Sequence, residues 1–203
     1  MRRLFDEELD ELDNGFTEMG ILVSNVVQQS VDAFIDHDRQ AAQAIIDHDH
    51  DINEREIQLE SKSFEIIALY QPVTSDLREV VTILKAVSDL ERAGDHARNI
   101  AHATIDVKGN TRVSEIETQL AEMGHLTTDM VKQAINDQLI EYRDQIMRES
   151  YNKIATDADV LVAAMNYNNV ASDLVRIADY LTNVGEWIVY LKTGQIVELK
   201  LMK

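Results

Sequence analysis

One stretch appears twice in the chain, and the repeat restricts the fold more than any single motif. Val87 to His102 reads V-S-D-L-E-R-A-G-D-H-A-R-N-I-A-H, and Ala171 to Glu186 reads A-S-D-L-V-R-I-A-D-Y-L-T-N-V-G-E. The copies lie 84 residues apart and share Ser88/Ser172, Asp89/Asp173, Leu90/Leu174, Arg92/Arg176, Asp95/Asp179 and Asn99/Asn183. Each continues an apolar seam of alternating four- and three-residue steps. The first seam runs Val80, Ile83, Val87, Leu90, Gly94, Ala97, Ala101. The second runs Val160, Ala164, Tyr167, Ala171, Leu174, Ala178, Leu181, Gly185, Ile188. That spacing belongs to long helices that pack side by side. It carries straight through Asn166 to Asn169, which composition alone would make a loop.

The remaining segments fall into place around these two helices. Residues 4 to 35 have helical apolar spacing, and Asp36-His37-Asp38 ends them. A second helix is expected from Arg39 to Tyr70. Gln71-Pro72 stops it, because proline disfavours helix in the residue before it and suits the first turn of the next. The third helix follows, ended by Lys108-Gly109-Asn110. Ser114 and Glu117 have capping-box spacing and open a fourth helix, which repeats the first at an offset of 104. A fifth is expected over 139–154. A sixth is expected from about 157 to 192, ended by Lys192-Thr193-Gly194. The offset falls from 104 to 84 between the fourth and sixth helices, so the second copy lacks twenty residues in the hairpin between its first two helices. Shared between two arms, that removes roughly 15 Å of helix from each. The expected fold is all-α: two tandem three-helix bundles related by an internal repeat, the second with a shortened hairpin. The boundaries are 1–108 for the first bundle, 111–194 for the second and 195–203 for a tail.

Composition excludes several classes of function. With a net charge of -18, a nucleic-acid backbone or an anionic membrane would be repelled, while cations and basic protein surfaces would be attracted. The absence of cysteine removes disulfides, thiolate nucleophiles and Cys-ligated zinc. No run approaches the length of a membrane span, and Met1 to Asp10 has no apolar core of signal length, so a soluble cytoplasmic protein is expected. There is no glycine-rich phosphate loop and no nucleophile elbow, and nothing nominates a catalytic residue.

The acids on the third helix are a different matter. Glu91 and Asp95 lie one turn apart at the edge of the seam, with His102 and Asn99 nearby on the wheel. Side by side, their carboxylates repel unless a hard cation or a basic partner relieves them. The alternative is an ordinary solvated acidic face. In the second copy Val175 replaces Glu91, leaving Asp179 with Asn183 and Glu186 on one face. Asp89/Asp173 and Arg92/Arg176 point away from the seam and suit local salt bridges or a partner surface. Asp47-His48-Asp49-His50-Asp51 has the composition of a metal cluster, but consecutive helical residues fan apart and read as a solvated stretch. Glu122-x-x-His125 fits one half of a carboxylate-bridged di-iron motif, and the second half is missing. A metal oxidase or iron store is therefore the alternative function.

The chain resembles the PhoU family, the accessory regulators of phosphate-specific transport. The resemblance rests on Phe5 to Leu12 (F-D-E-E-L-D-E-L), Gln71 to Arg78 (Q-P-V-T-S-D-L-R), Ser88 to His96 (S-D-L-E-R-A-G-D-H) and Asn183 to Gly194 (N-V-G-E-W-I-V-Y-L-K-T-G). It implies two similar three-helix bundles and a cytoplasmic, often dimeric, non-enzymatic repressor of the phosphate-starvation response. The implied partners are the phosphate transporter's ATP-binding subunit and a phosphate-sensing histidine kinase. It also implies metal clusters held by the acidic motifs: Glu91 and Asp95 in the first bundle, Asp179 with Asn183 and Glu186 in the second. On helix two, Asn53 stands where an acid is common, leaving Asp49 as the candidate ligand. The metal would be iron, manganese, magnesium or zinc, with calcium also suited to oxygen ligands.

Overall fold

The computed structural model describes residues 2–107, 112–129 and 136–199. Seven α-helices and one 3₁₀ turn make up these residues: α1 (Arg2–Ile35), α2 (Arg39–Asp47), α3 (His50–Tyr70), α4 (Thr74–Asp106), α5 (Ser114–Asp129), α6 (Asn136–Thr156), the turn Ala158–Val160 and α7 (Leu161–Thr193). Two antiparallel three-helix units result. α1, α2–α3 and α4 form the first, and α5, α6 and α7 form the second, with the shorter α5–α6 hairpin that the offsets require. The Lys108-Gly109-Asn110 stop lies outside the described residues.

Asp38 starts α2 by accepting from the backbone N–H groups of Gln40 and Ala41 at 2.9 Å each, satisfying two donors that a helix start leaves open. α7 ends at Gly194, whose φ of 72° is the left-handed stop that glycine adopts most cheaply.

The seams drive the packing. Every seam residue of α4 from Val80 to Ala101 is buried, as are those of the second seam from Val160 to Ala178. Tyr167, within the polar stretch Asn166–Asn169, has no exposed surface, so period decides over composition there. α4 and α7 form the most extensive helix pair, antiparallel and in contact along their length. One apolar core runs across both units, joining Leu12, Val23 and Ile100 to Leu120, Ile146 and Leu174.

Two expectations need correction. The helix expected over Arg39–Tyr70 is broken at His48-Asp49. At the break His50 Nδ1 donates to Asp47 O at 3.1 Å, and His48 Nδ1 adds a second donor, at 2.8 Å, to Ala44 O, which also accepts from His48 N at 3.1 Å. The histidines and aspartates of 47–51 are largely solvated, as expected, but they mark a helix junction and not a continuous helix. Glu117, expected to cap α5, has its carboxylate engaged elsewhere. It receives Arg112 Nη1 at 2.6 Å, the Tyr167 hydroxyl at 3.1 Å and His37 Nε2 at 3.2 Å. Tyr167 also accepts from Val113 N at 2.9 Å, and Arg112 reaches the Phe34 carbonyl at 3.3 Å. Burial pushes the Tyr167 phenol upward and keeps it a donor. This node ties the end of α1 to the second unit.

Candidate functional site

The acidic site forms where α3 meets α4. Gly94 lets the helices close: a Cβ there would lie 2.8 Å from Cδ1 of Ile52. Beside this contact the seam holds Glu91 and Asp95 at the groove edge, and α3 contributes Glu56 and Glu60. Ser88 Oγ donates to Glu56 Oε1 at 3.0 Å and lies 3.5 Å from Glu60 Oε1. The helix junction turns Asp49 toward α4, where its Oδ2 meets Arg98 Nη1 at 2.5 Å. The same guanidinium binds Asp95 Oδ1 through Nη2 at 3.0 Å. Arg98 is thus the cation that joins Asp49 to Asp95.

The remaining acids are under strain. Burial, followed by the charges of Asp95, Glu56 and Asp49, raises the Glu91 carboxyl from its ordinary 4.5 to about 7. Burial also raises Glu56, against the opposing hydrogen bond from Ser88. The site therefore carries more negative charge than Arg92 and Arg98 neutralise.

Asp49, Glu91 and Asp95 lie near one another, and Glu56, Glu60, Ser88 and Arg98 lie beside them. Glu56 and Glu60 could have been found from α3's own periodicity, since Ile52 and Leu59 mark its inward face and the two glutamates flank it. Arg98 could not, because its partner Asp49 depends on the helix junction.

The three residues on α7 are not gathered. Asp179 lies 3.7 Å from Arg176, Asn183 donates to Asp89 Oδ1 at 3.3 Å, and Glu186 Oε1 accepts from Leu199 N. Val175, standing where Glu91 stands in the first copy, is buried. Asp89 is itself buried at the α4–α7 contact, only 3.9 Å from Arg92. The polar residues that point away from the seam thus line the join between the units. Glu122, half of the di-iron pattern, accepts from the Tyr142 hydroxyl at 2.8 Å on the outer face of α5. Among the described residues, no three acidic or histidine side chains stand close enough to hold one metal ion as placed.

Residues 16–104, which include all of this acidic site, match the PhoU domain family model. The phosphate-specific transport system accessory protein PhoU homolog of Streptococcus pneumoniae (strain ATCC BAA-334 / TIGR4) is 32% identical across 98% of this chain and 100% of its own length. The chain belongs to the PhoU family. The PhoU homolog of Clostridium acetobutylicum is 29% identical, with 98% of each chain covered. Among solved structures, the phosphate transport system regulatory protein PhoU from S. pneumoniae superposes with a TM-score of 0.86 over 96% of this chain and all of its own, at 32% identity. PhoU from Pseudomonas aeruginosa gives 0.81 over 94% and 100%, at 27% identity. The all-helical architecture is the PhoU fold. No helix among the described residues is long and apolar enough to cross a membrane.

Proposed function

We propose that this protein is an accessory regulator of a phosphate-specific transport system, without catalysis of its own, that holds the phosphate-starvation response off when phosphate is plentiful. Full-length similarity to proteins named as phosphate-specific transport system accessory proteins supports the reading. Its partners are the transporter's ATP-binding subunit, a phosphate-sensing histidine kinase and a second copy of itself, all met in the cytoplasm. The net charge of -18 favours basic surfaces on the first two. The working units are residues 1–108 and 111–194, with 195–203 as a tail. Deleting the gene should leave phosphate-starvation genes on in phosphate-rich medium, and an unchanged response there would overturn the regulatory role.

A metal centre at the α3–α4 site belongs to the same reading. The donors suit a hard cation, all being oxygens, and the raised Glu91 carboxyl marks charge that a cation would neutralise. Their present placement fits less well, because Arg98 holds Asp49 and Asp95. Glu91, Asp95, Glu56 and Asp49 would hold the ion once Arg98 releases them, and the ion would supply positive charge that fixes α3 against α4. Asp179, Asn183 and Glu186 would form the weaker second site. Changing even groups behind a metal's ligands costs roughly 10- to 100-fold in affinity. The double variant Glu91→Ala, Asp95→Ala should therefore retain less than a tenth of the metal found by elemental analysis of the native protein, roughly speaking. Equal metal in both proteins would remove the site.

A further inference from the structure

The offset of 84 makes each position of α4 equivalent to one of α7, and the two helices exchange places about a pseudo-twofold axis near Gly94 and Ala178. Three pairs reveal the axis. His96 and Tyr180 occupy equivalent positions and stack, ring centroids 5.7 Å apart. Asp89 accepts from Asn183 on one side. The equivalent residues, Asp173 and Asn99, line a common cleft on the other.

The two ends related by this axis are filled differently. At one end Arg78 places its guanidinium 5.8 Å from the centre of the Tyr190 ring and packs against Gly194, while Trp187 meets Tyr190 edge-on at 6.0 Å. The positions equivalent to Arg78, Tyr190 and Trp187 are Val162, Asp106 and Ala103. Here an open cleft of about 350 Å³ replaces the packed cluster, lined by Asn99, His102, Asp106, Asn166, Asn169 and Asp173.

We propose that this cleft receives an arginine side chain from a partner polypeptide, in the place that Arg78 fills at the equivalent end. The lining offers acceptors in excess. Among the described residues no lysine or arginine lines it. Asp173 gives one oxygen to His96 Nδ1 at 2.7 Å. Arg92 lies beside Asp89, but its equivalent, Arg176, turns to Asp179 and leaves Asp173 without a guanidinium. Asn99, His102, Asp106 and Asn169 make no side-chain hydrogen bond or ion pair among the described residues. Asn166 donates its amide to Val162 O at 2.9 Å, so its oxygen remains an acceptor. Five planar N–H donors on a methylene stem match carboxylates and carboxamides spread over such a width. A single metal ion does not, since no three acids or histidines converge on one point among the described residues. Anions are opposed by the two carboxylates.

The test is a ¹H–¹⁵N titration of the full chain with Nα-acetyl-L-argininamide. The uncharged citrulline analogue, free L-arginine, spermidine and magnesium chloride serve as comparisons. Saturable shifts at the side-chain amides of Asn99 and Asn169 are expected with the blocked arginine and not with citrulline. Asp106 is exposed, so Asp106→Asn should fold normally and weaken binding about fivefold. Val162→Arg should fill the cleft from within and abolish the response. Absence of saturable shifts at about 20 mM probe overturns the proposal. So does an equal response to citrulline, spermidine or magnesium. Tighter binding of free L-arginine than of the blocked amide would overturn a polypeptide source.

Discussion

Replacing Glu117 by alanine should destabilise the protein by about 3 kcal/mol, because it strands a buried charge. The side chains of Arg112 and Glu117 are only 9% and 14% exposed, at 2.6 Å from one another. Removing one partner of a buried pair costs more than the pair contributes, since the other keeps its desolvation penalty. Arg112 would retain the Phe34 carbonyl and its place over the Phe34 ring, 5.2 Å from the centroid. Neither neutralises it. Tyr167 would lose an acceptor as well. Equilibrium denaturation should therefore show a fall in midpoint temperature of roughly 10 °C. Tyr167→Phe, which keeps the ion pair and deletes only the hydroxyl, should cost about 1 kcal/mol. Comparable losses for the two variants would mean that packing around α5, and not the stranded guanidinium, sets the penalty.

Glu91→Gln should act in the opposite direction, and only at high pH. In the folded protein Glu91 titrates near 7, against an ordinary value of 4.5. Between those values the folded chain binds more protons than the unfolded one, so stability falls as pH rises. Below 4.5 the residue is neutral in both states and contributes nothing. Above 7 the full cost of its charge is present. Glutamine removes that cost. Because the site is partly open to solvent, the gain at pH 8 is about 1 kcal/mol, well below what the shift alone would give. In chelator, wild type and variant should have matching denaturation midpoints near pH 4.5 and separate by pH 8, with the variant more stable. Curves that stay parallel at every pH would show that the carboxylate is not strained.

Much of the fold is legible in the amino-acid sequence. The seams of α4 and α7 are apolar on one face over about six turns or more, and such a pattern admits few alternatives to a long packed helix. The offsets located the clipped hairpin for the same reason: they count residues and need no geometry. The acidic site was half legible. Glu91 and Asp95 share a helix, and helix geometry alone puts them together. Asp49 reaches them through a two-residue break, and its partner Arg98 sits 49 positions away in sequence. The break itself is hidden because His48 and His50, which stabilise it, read as exposed side chains facing water until their ring nitrogens meet the carbonyls of Ala44 and Asp47. On α7 the spacing of Asp179, Asn183 and Glu186 implies one helix face, but a shared face does not fix what each residue meets. The tail and Asp89 claim two of them.

The apolar core that crosses from one repeat to the other has a consequence for how the molecule comes apart. Leu12 and Val87 belong to the same buried cluster as Met123 and Leu174, and α4 and α7 share the longest seam in the fold. Releasing either repeat would expose the apolar side of the other. Melting is therefore expected as a single cooperative event, and coincident thermal transitions by far-UV and near-UV circular dichroism would show it. The two three-helix units are bound into one thermodynamic unit, whose parts can differ in charge and detail only so long as their common seam stays apolar.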